Sequence, residues 1–323
     1  MPLSNAPAAI KVEMGIPNPE AKPKVALIAG PTASGKTALA LHLAKSHNIM
    51  IINADSAQVY SDLPVLSAQP TPKEQASVPH RLFGYLDGRT ACSAARWAAD
   101  AKLAIAEAHV AGRLPVLVGG TGLYLRTLLD GIAPIPEVDP DHRANIRALP
   151  VADAYAALAS KDPLMAASLA PADGSRITRA LEVIESTGRS IAEWRKDKVG
   201  GIGGGVDLRP LVLLPPRDWL YARCDARFDG MMASGAIAEV EALLARNLPA
   251  DAPVMRAIGV PEISAMLTGA IGHSQAAILG KTATRQYAKR QFTWFRNQAP
   301  ERWPKWEQEI NDSNLYKIEI IFQ

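Results

Sequence analysis

Lys24-Val25-Ala26-Leu27-Ile28-Ala29 is an apolar run entered from Pro23 and left through Gly30. Such a run predicts a strand buried on both faces of a parallel sheet. Ile49-Met50-Ile51-Ile52 repeats the pattern and runs into the polar turn Asn53-Ala54-Asp55-Ser56. Leu114-Pro115-Val116-Leu117-Val118 repeats it again and breaks at Gly119-Gly120. Between and after these runs the composition is helix-forming: residues 38–46, then 93–110 with Ser93 as N-cap and Gly112 as a stop, then 123–129. Strand, helix, strand, helix predicts an α/β chain with a doubly wound parallel sheet.

From Gly131 the character changes. Ala133-Pro134-Ile135-Pro136 opens a stretch of helical segments, including 153–161 and 176–187, that ends in Gly200-Gly201-Ile202-Gly203-Gly204-Gly205, a flexible hinge by composition. Leu208 to Leu214 returns to strand, and one long helical pattern runs from Trp219 to about Ala245. The expected organisation is a loose tail over 1–23, an α/β core over 24–130 and 206–310, a helical insertion over 131–205, and a tail over 311–323. The other reading makes the helical stretch part of the core.

Composition narrows the classes. At 48% hydrophobic and 21% charged the chain excludes a mostly disordered or collagen-like protein. No run approaches the ~18 apolar residues of a membrane span, and 1–23 lacks a signal-peptide apolar stretch. Two cysteines, Cys92 and Cys224, cannot build a disulfide scaffold or a four-cysteine zinc site; they fit a reducing cytoplasm and read as structural. A net charge of +3 permits a nucleic-acid partner without arguing for one.

Gly30-Pro31-Thr32-Ala33-Ser34-Gly35-Lys36-Thr37 matches G-x-x-x-x-G-K-[ST] between a predicted strand and a predicted helix. Glycines there turn backbone N–H groups around phosphate oxygens, and the helix start adds its positive dipole end. Lys36 supplies a point charge, and the Thr37 hydroxyl is placed to hold Mg²⁺. Asp55 and Thr121 follow the second and third strands, so both reach the crevice at the carboxyl edge of the sheet. A carboxylate after a strand is as often a helix cap, and Gly-Gly as often a plain turn. Gly-Gly-Thr also stands where a nucleotidase places an acidic residue, a mark against simple ATP hydrolysis. Residues 281–296 carry Lys281, Arg285, Lys289, Arg290 and Arg296, no acidic residue, and Tyr287, Phe292, Trp294 and Phe295. Together with 274–280 they form one predicted helix: an RNA-backbone surface, or a solvated face with its aromatics in the core.

These blocks together resemble the tRNA dimethylallyltransferases (tRNA isopentenyltransferases). The likeness is carried by the phosphate loop, by Asn53-Ala54-Asp55-Ser56-Ala57-Gln58-Val59-Tyr60, and by Val118-Gly119-Gly120-Thr121-Gly122-Leu123-Tyr124. It continues in Arg176-Ile177-Thr178-Arg179-Ala180-Leu181-Glu182-Val183 and in the run from Thr284 to Arg296, in the family's order over about 24–300. The resemblance implies a P-loop NTPase-like fold and transfer of a dimethylallyl group from dimethylallyl diphosphate to N6 of the adenosine 3′ to the anticodon, position 37, in tRNAs reading codons that start with U. It implies Mg²⁺ as cofactor and a prenyl diphosphate in the loop in place of ATP. Asp55 would be the base and Thr121 the second active-site contact. Contacts with the anticodon stem-loop would come from Asp55, Ser56, Ala57, Gln58, Thr121, Arg143, Ser175, Arg176, Ile177, Thr178 and Arg179. The same set includes Arg256, Ala257, Ile258, Gly259, Val260, Pro261, Lys289, Arg290, Gln291, Phe292, Thr293, Trp294, Phe295 and Arg296. The implied partners are tRNA and the prenyl donor, with no membrane, and the implied state is a monomer. The chain departs from the family's usual residues at Leu66 (glycine), Gln69 (lysine), Gly84 (aspartate), Cys92 (tyrosine), Ser175 (glutamine) and Val260 (tyrosine). A P-loop small-molecule kinase and a non-catalytic RNA-binding protein are the alternatives.

Overall fold

A computed structural model describes residues 22–311, 313–319 and 322. The apolar runs are strands β1 (Lys24–Ala29), β2 (Ile49–Asn53) and, after the short β3 (His80–Arg81), β4 (Leu114–Gly119). With β5 (Asp207–Leu213) and β6 (Lys305–Trp306) they form one six-stranded parallel sheet in the order β3-β2-β4-β1-β5-β6. Residues 25–29 and 49–53 are buried without alternation, as expected for strands covered on both faces. The covering helices begin with α1 (Lys36–Leu43), α2 (Pro72–Ser77), α3 (Ala94–Val110) and α4 (Gly122–Asp130). The predicted cap of α3 is present, the Ser93 side chain accepting from Arg96 N.

Register decides where the site falls. Ala29 pairs with Gly119, and Asn53 with Val118. Gly30, Asp55 and Thr121 therefore leave the sheet at one edge. Gly119 permits the close approach: a Cβ there would lie 2.1 Å from the backbone carbonyl of Ala54. Backbone cannot swing aside as a side chain can, so Gly119→Ala is expected to cost on the order of 2–3 kcal/mol, the range of overpacked cores. Urea denaturation measures it, and an unchanged midpoint contradicts it.

After α4 the chain enters α5 (Pro140–Ala148), α6 (Val151–Lys161), α7 (Pro163–Ala167), α8 (Gly174–Thr187) and α9 (Ile191–Trp194). These helices bury a hydrophobic cluster of their own, including Ile146, Leu158, Ile177 and Leu181. The way in and the way out lie side by side: Ile132 and Val199 exchange backbone hydrogen bonds of 3.0 Å. The glycine run expected as a flexible hinge is tied down. Ile202 N donates to Leu128 O at 3.0 Å and Gly203 N to Leu129 O at 2.9 Å, and a Cβ on Gly201 would meet the Asp130 carbonyl carbon at 2.5 Å. Its glycines allow close packing on the end of α4.

The long helical pattern from Trp219 is two helices, α10 (Arg217–Ala233) and α11 (Ala236–Ala245), broken at Gly235 with φ +125°. Helix α12 (Val260–Leu267) follows, then α13 (His273–Gln298), the single basic helix that was expected. The segment 311–323, expected as a tail, contains α14 (Leu315–Glu319), whose Leu315 and Ile318 join the core between α1 and the sheet. Residues 1–21 of the expected N-terminal tail lie outside the described residues.

Candidate active site

The phosphate loop bridges β1 and α1. Gly30 takes φ +148° and Gly35 φ +98°, and a Cβ on Gly30 would lie 2.5 Å from Leu213 O. Ala33 also adopts a left-handed conformation, φ 63°. The loop is braced from the far end of the sequence. Gln291 on α13 is buried; its Oε1 accepts from Thr32 N at 2.8 Å and its Nε2 donates to Gly120 O at 3.0 Å. From α10, Arg223 Nε donates to Ala33 O at 3.0 Å and Arg227 NH1 to Thr32 Oγ1 at 3.5 Å. The Lys36 ammonium donates to Gly30 O at 3.0 Å and Pro31 O at 2.7 Å.

Beside the loop lies a cavity of about 380 Å³, a size suited to a small ligand. Its wall brings together Thr32, Asp55, Ser56 and Ala57 with Arg227, Phe228 and Met231 of α10, Arg256, Ala257 and Ile258, and Tyr287 and Arg290 of α13. Asp55 is held by an Asx turn: its N donates to Asn53 Oδ1 at 2.8 Å, and its own Oδ1 accepts from Ala57 N at 3.0 Å. Buried Asn53 anchors that turn by donating to Asp55 O at 3.0 Å and Leu82 O at 2.9 Å. Thr121 precedes α4 but spends its hydroxyl on the turn rather than on a helix cap. Its Oγ1 accepts from Ser56 N at 2.9 Å and donates to Ser56 Oγ at 3.2 Å. Asp55 and Thr121, sixty-six residues apart, are thus linked through Ser56: Asp55 and Ser56 line the cavity, and Thr121 supports them without lining it.

The electrostatics favour an anion. Burial lowers the Lys36 pKa to about 8, with Asp55 opposing that shift and Arg227 reinforcing it. Burial and then neighbouring Arg223 hold the Arg227 guanidinium below its usual value. Cations deprived of water and crowded together are relieved by a bound anion. Burial and the Asp55 charge raise the Tyr287 phenol, so it stays protonated beside Thr121 and Ser56. Burial pushes the Cys224 thiol up to about 11, keeping it neutral. Cys92 and Cys224, read as structural, both line the cavity.

The structure separates the expected RNA contacts. Asp55, Ser56, Ala57, Arg256, Ala257, Ile258 and Arg290 line the cavity. Lys289, Thr293 and Arg296 are exposed on α13. Ile177, Val260, Phe292 and Phe295 are buried, so their side chains serve the core and not an RNA surface. Gln291 braces the phosphate loop instead, and the Gln58 amide donates to Ser67 O at 3.0 Å and Ala68 O at 2.7 Å. Trp294 packs over Gly122 with Arg126 against its ring at 5.3 Å. Two cations of the basic run are ion-paired to α10, Lys281 with Asp229 at 2.7 Å and Arg285 with Asp225 at 2.6 Å. Arg143, Ser175, Arg176, Thr178 and Arg179 sit on α5 and α8, on elements separate from those lining the cavity. Arg223 and Arg227 escaped the sequence reading. Their only signal was a four-residue spacing on a predicted helix, which nothing linked to the phosphate loop.

The family IPPT, described as IPP transferase, matches residues 58–298. A tRNA dimethylallyltransferase of Sphingopyxis alaskensis is 62% identical over 282 residues, 87% of this chain and 92% of its own length. Another of that description, from Erythrobacter litoralis, is 59% identical over 306 residues, 93% of this chain and 95% of its own. The full-length tRNA isopentenylpyrophosphate transferase of Bacillus halodurans superposes with a TM-score of 0.67 at 34% identity, covering 93% of this chain and 95% of that one. A eukaryotic dimethylallyltransferase, in crystallographic snapshots of it acting on tRNA, gives a TM-score of 0.74 at 29% identity over 84% of this chain and 70% of that one. On its sequence and its fold together, the chain belongs to the IPP transferase family, that of the tRNA dimethylallyltransferases.

Proposed function

We propose that this chain transfers a dimethylallyl group from dimethylallyl diphosphate to N6 of the adenosine at position 37, beside the anticodon, of tRNAs reading codons that start with U. The observation that carries the reading is the shared cavity: Asp55 lines the same space as Thr32 of the phosphate loop and Arg227, whose guanidinium, like the Lys36 ammonium of the loop, is desolvated. An exocyclic adenine amine is a weak nucleophile because its lone pair is delocalised into the ring. Asp55 Oδ2 makes no hydrogen bond within the described residues. It is available to accept the N6 proton as nitrogen bonds to C1 of the prenyl group and the C1–O bond to diphosphate breaks. The departing charge falls to Lys36, the loop amides and Arg227. The adenine has to leave its stack to enter, at an unstacking cost of a few kcal/mol.

The fit to Mg²⁺ rests on donor chemistry. Among the described residues no group of three or more His, Cys, Asp or Glu could hold a metal. Thr37, at the second position of α1, offers a hard hydroxyl oxygen of the kind magnesium accepts alongside phosphate oxygens and water. Bound there, the ion would supply charge neutralisation to the leaving diphosphate.

Lys36 sets a pH limit. Its charged form binds the diphosphate and predominates below about pH 8 in the free protein. kcat/KM for the prenyl donor is therefore expected to be level below that pH and to fall by about tenfold per unit above it. A profile level to pH 10 removes Lys36 from the role.

Incubation with radiolabelled dimethylallyl diphosphate, labelled ATP and bulk tRNA tests the activity. Prenyl label on the RNA is the expected result. Phosphate transfer from ATP would favour a small-molecule kinase, and binding without transfer an RNA-binding protein.

A further inference from the structure

Away from the cavity, a fully buried carboxylate lies under three guanidiniums. Glu182 on α8 has a side-chain exposure of 0%, yet Arg147 Nε donates to its Oε1 at 2.8 Å and Arg179 NH1 to its Oε2 at 3.1 Å. Arg143 Nε stands 3.8 Å from the same Oε2, buried and without a hydrogen-bond partner. One anion among three cations leaves an excess of two positive charges. Stability alone does not ask for that, since the second and third guanidiniums repel the first and a buried ion pair is a weak source of stability.

The unused donors face outward. Side-chain exposures are 62% for Arg147, 40% for Arg179 and 35% for Arg143, and each guanidinium has five N–H donors. Arg143 and Arg147 lie one turn apart on α5, and Arg179 one turn before Glu182 on α8. One turn further along α8, Glu185 is ion-paired to Lys161 of α6 at 2.8 Å, and His142 Nε2 of α5 stands 3.3 Å from its carboxylate without a hydrogen bond. The helix that carries Glu182 is therefore also tied to α6. Guanidiniums gathered on one buried carboxylate, two of them by hydrogen bonds, with further donors and surplus charge, suit the oxygens of a phosphate backbone.

We infer that Glu182 is a positioning residue for RNA. Its carboxylate preorganises Arg143, Arg147 and Arg179 as a phosphate clamp, and Arg147 is one of the residues that touches the backbone. This rests on the tRNA reading above. A diffuse basic patch and an oriented clamp differ in sign. Glu182→Gln makes the protein more positive, so a diffuse patch would bind RNA more tightly, whereas a clamp deprived of its anchor binds more weakly.

The test measures binding of a fluorescent anticodon stem-loop RNA to the full chain over a series of salt concentrations. Glu182→Gln, with an unchanged circular dichroism spectrum, is expected to raise Kd by about tenfold, and in turnover to raise the RNA KM more than it lowers kcat. Arg147→Gln, at an exposed position, is expected to raise Kd by several-fold and make the plot of log Kd against log salt shallower by about 0.7–0.9, one phosphate contact. Unchanged or tighter binding by folded Glu182→Gln overturns the clamp. If that variant fails to fold, an unchanged affinity and salt slope in Arg147→Gln overturns it. A wild-type chain that ignores the stem-loop would take down the tRNA reading as well, whereas a wild type that binds beside unaffected variants removes only the clamp.

Discussion

Asp55→Ala is expected to lower turnover by about 10³-fold, within the span of a lost general base, while diphosphate still binds at least as tightly as before. The two halves follow from where the carboxylate stands. It shares the cavity with Thr32 of the phosphate loop, and its charge favours the protonated form of Lys36 without an ion pair to it. Removing it deletes the acceptor for the N6 proton but also removes an anion facing an anionic substrate, so donor affinity has no reason to drop. Asp55→Asn sharpens the case: the amide keeps the size and the acceptor to Ala57 N, so a hydrogen-bonding role would survive and a base would not. Single-turnover transfer of labelled prenyl group, beside calorimetric binding of diphosphate, reads both quantities. Full turnover in either variant removes Asp55 as the base.

Lys36→Met is expected to weaken diphosphate binding by roughly 10²- to 10³-fold, the loss seen when one partner of a buried, hydrogen-bonded charge pair is truncated. In the free protein the ammonium folds back onto Gly30 O and Pro31 O, desolvated and near Arg227. Its lowered pKa has a consequence for stability. Between about pH 8 and the ordinary lysine range the unfolded chain holds a proton that the folded chain has released, so without ligand stability rises as pH rises through that window. A bound diphosphate reverses this by favouring the charged form. The rise in Tm on adding diphosphate should therefore be large at pH 7, smaller at pH 9 and strongly reduced in Lys36→Met at the same diphosphate concentration. A methionine variant that keeps the wild-type Tm shift would contradict this account of the loop.

Two departures from the usual family pattern meet in space. Gln69 Oε1 lies 2.7 Å from where a Cβ on Gly84 would be, and Gly84 takes φ +53°. Gln69 Nε2 donates to Tyr60 O at 2.8 Å, so the amide secures the 60s loop on the cavity wall. Read one at a time, each position was a lost charge; placed together, they are a neutral side chain occupying the space its glycine neighbour leaves open.

The site was partly legible because part of it is local. The strand–loop–helix around 30–37 is written in consecutive residues, and β1, β2 and β4 are apolar runs of the kind a two-sided sheet takes. Asp55 and Thr121 could be placed as well, since parallel strands deliver their carboxyl ends to one edge. Composition misled where a glycine's role depends on its neighbours. Residues 200–205 read as a hinge because glycine allows freedom, but the same missing side chain allows the backbone to dock on α4. The basic helix misled in the opposite way. Its net charge is a sum, and the sum does not show that Arg285 and Lys281 are answered by aspartates of α10, or that Gln291 turns inward to the loop.

On its own, then, the order of residues determined the parallel sheet, the glycine-rich turn after β1 and the sheet edge that carries Asp55 and Thr121, because hydrophobic period and backbone conformation are properties of neighbouring residues. Which cations surround the loop, which aromatics belong to the core and which carboxylate gathers three arginines were decided by the packing of α8, α10 and α13. Charge and burial are properties of space, and helices distant along the chain set the dielectric and the partners that each side chain meets.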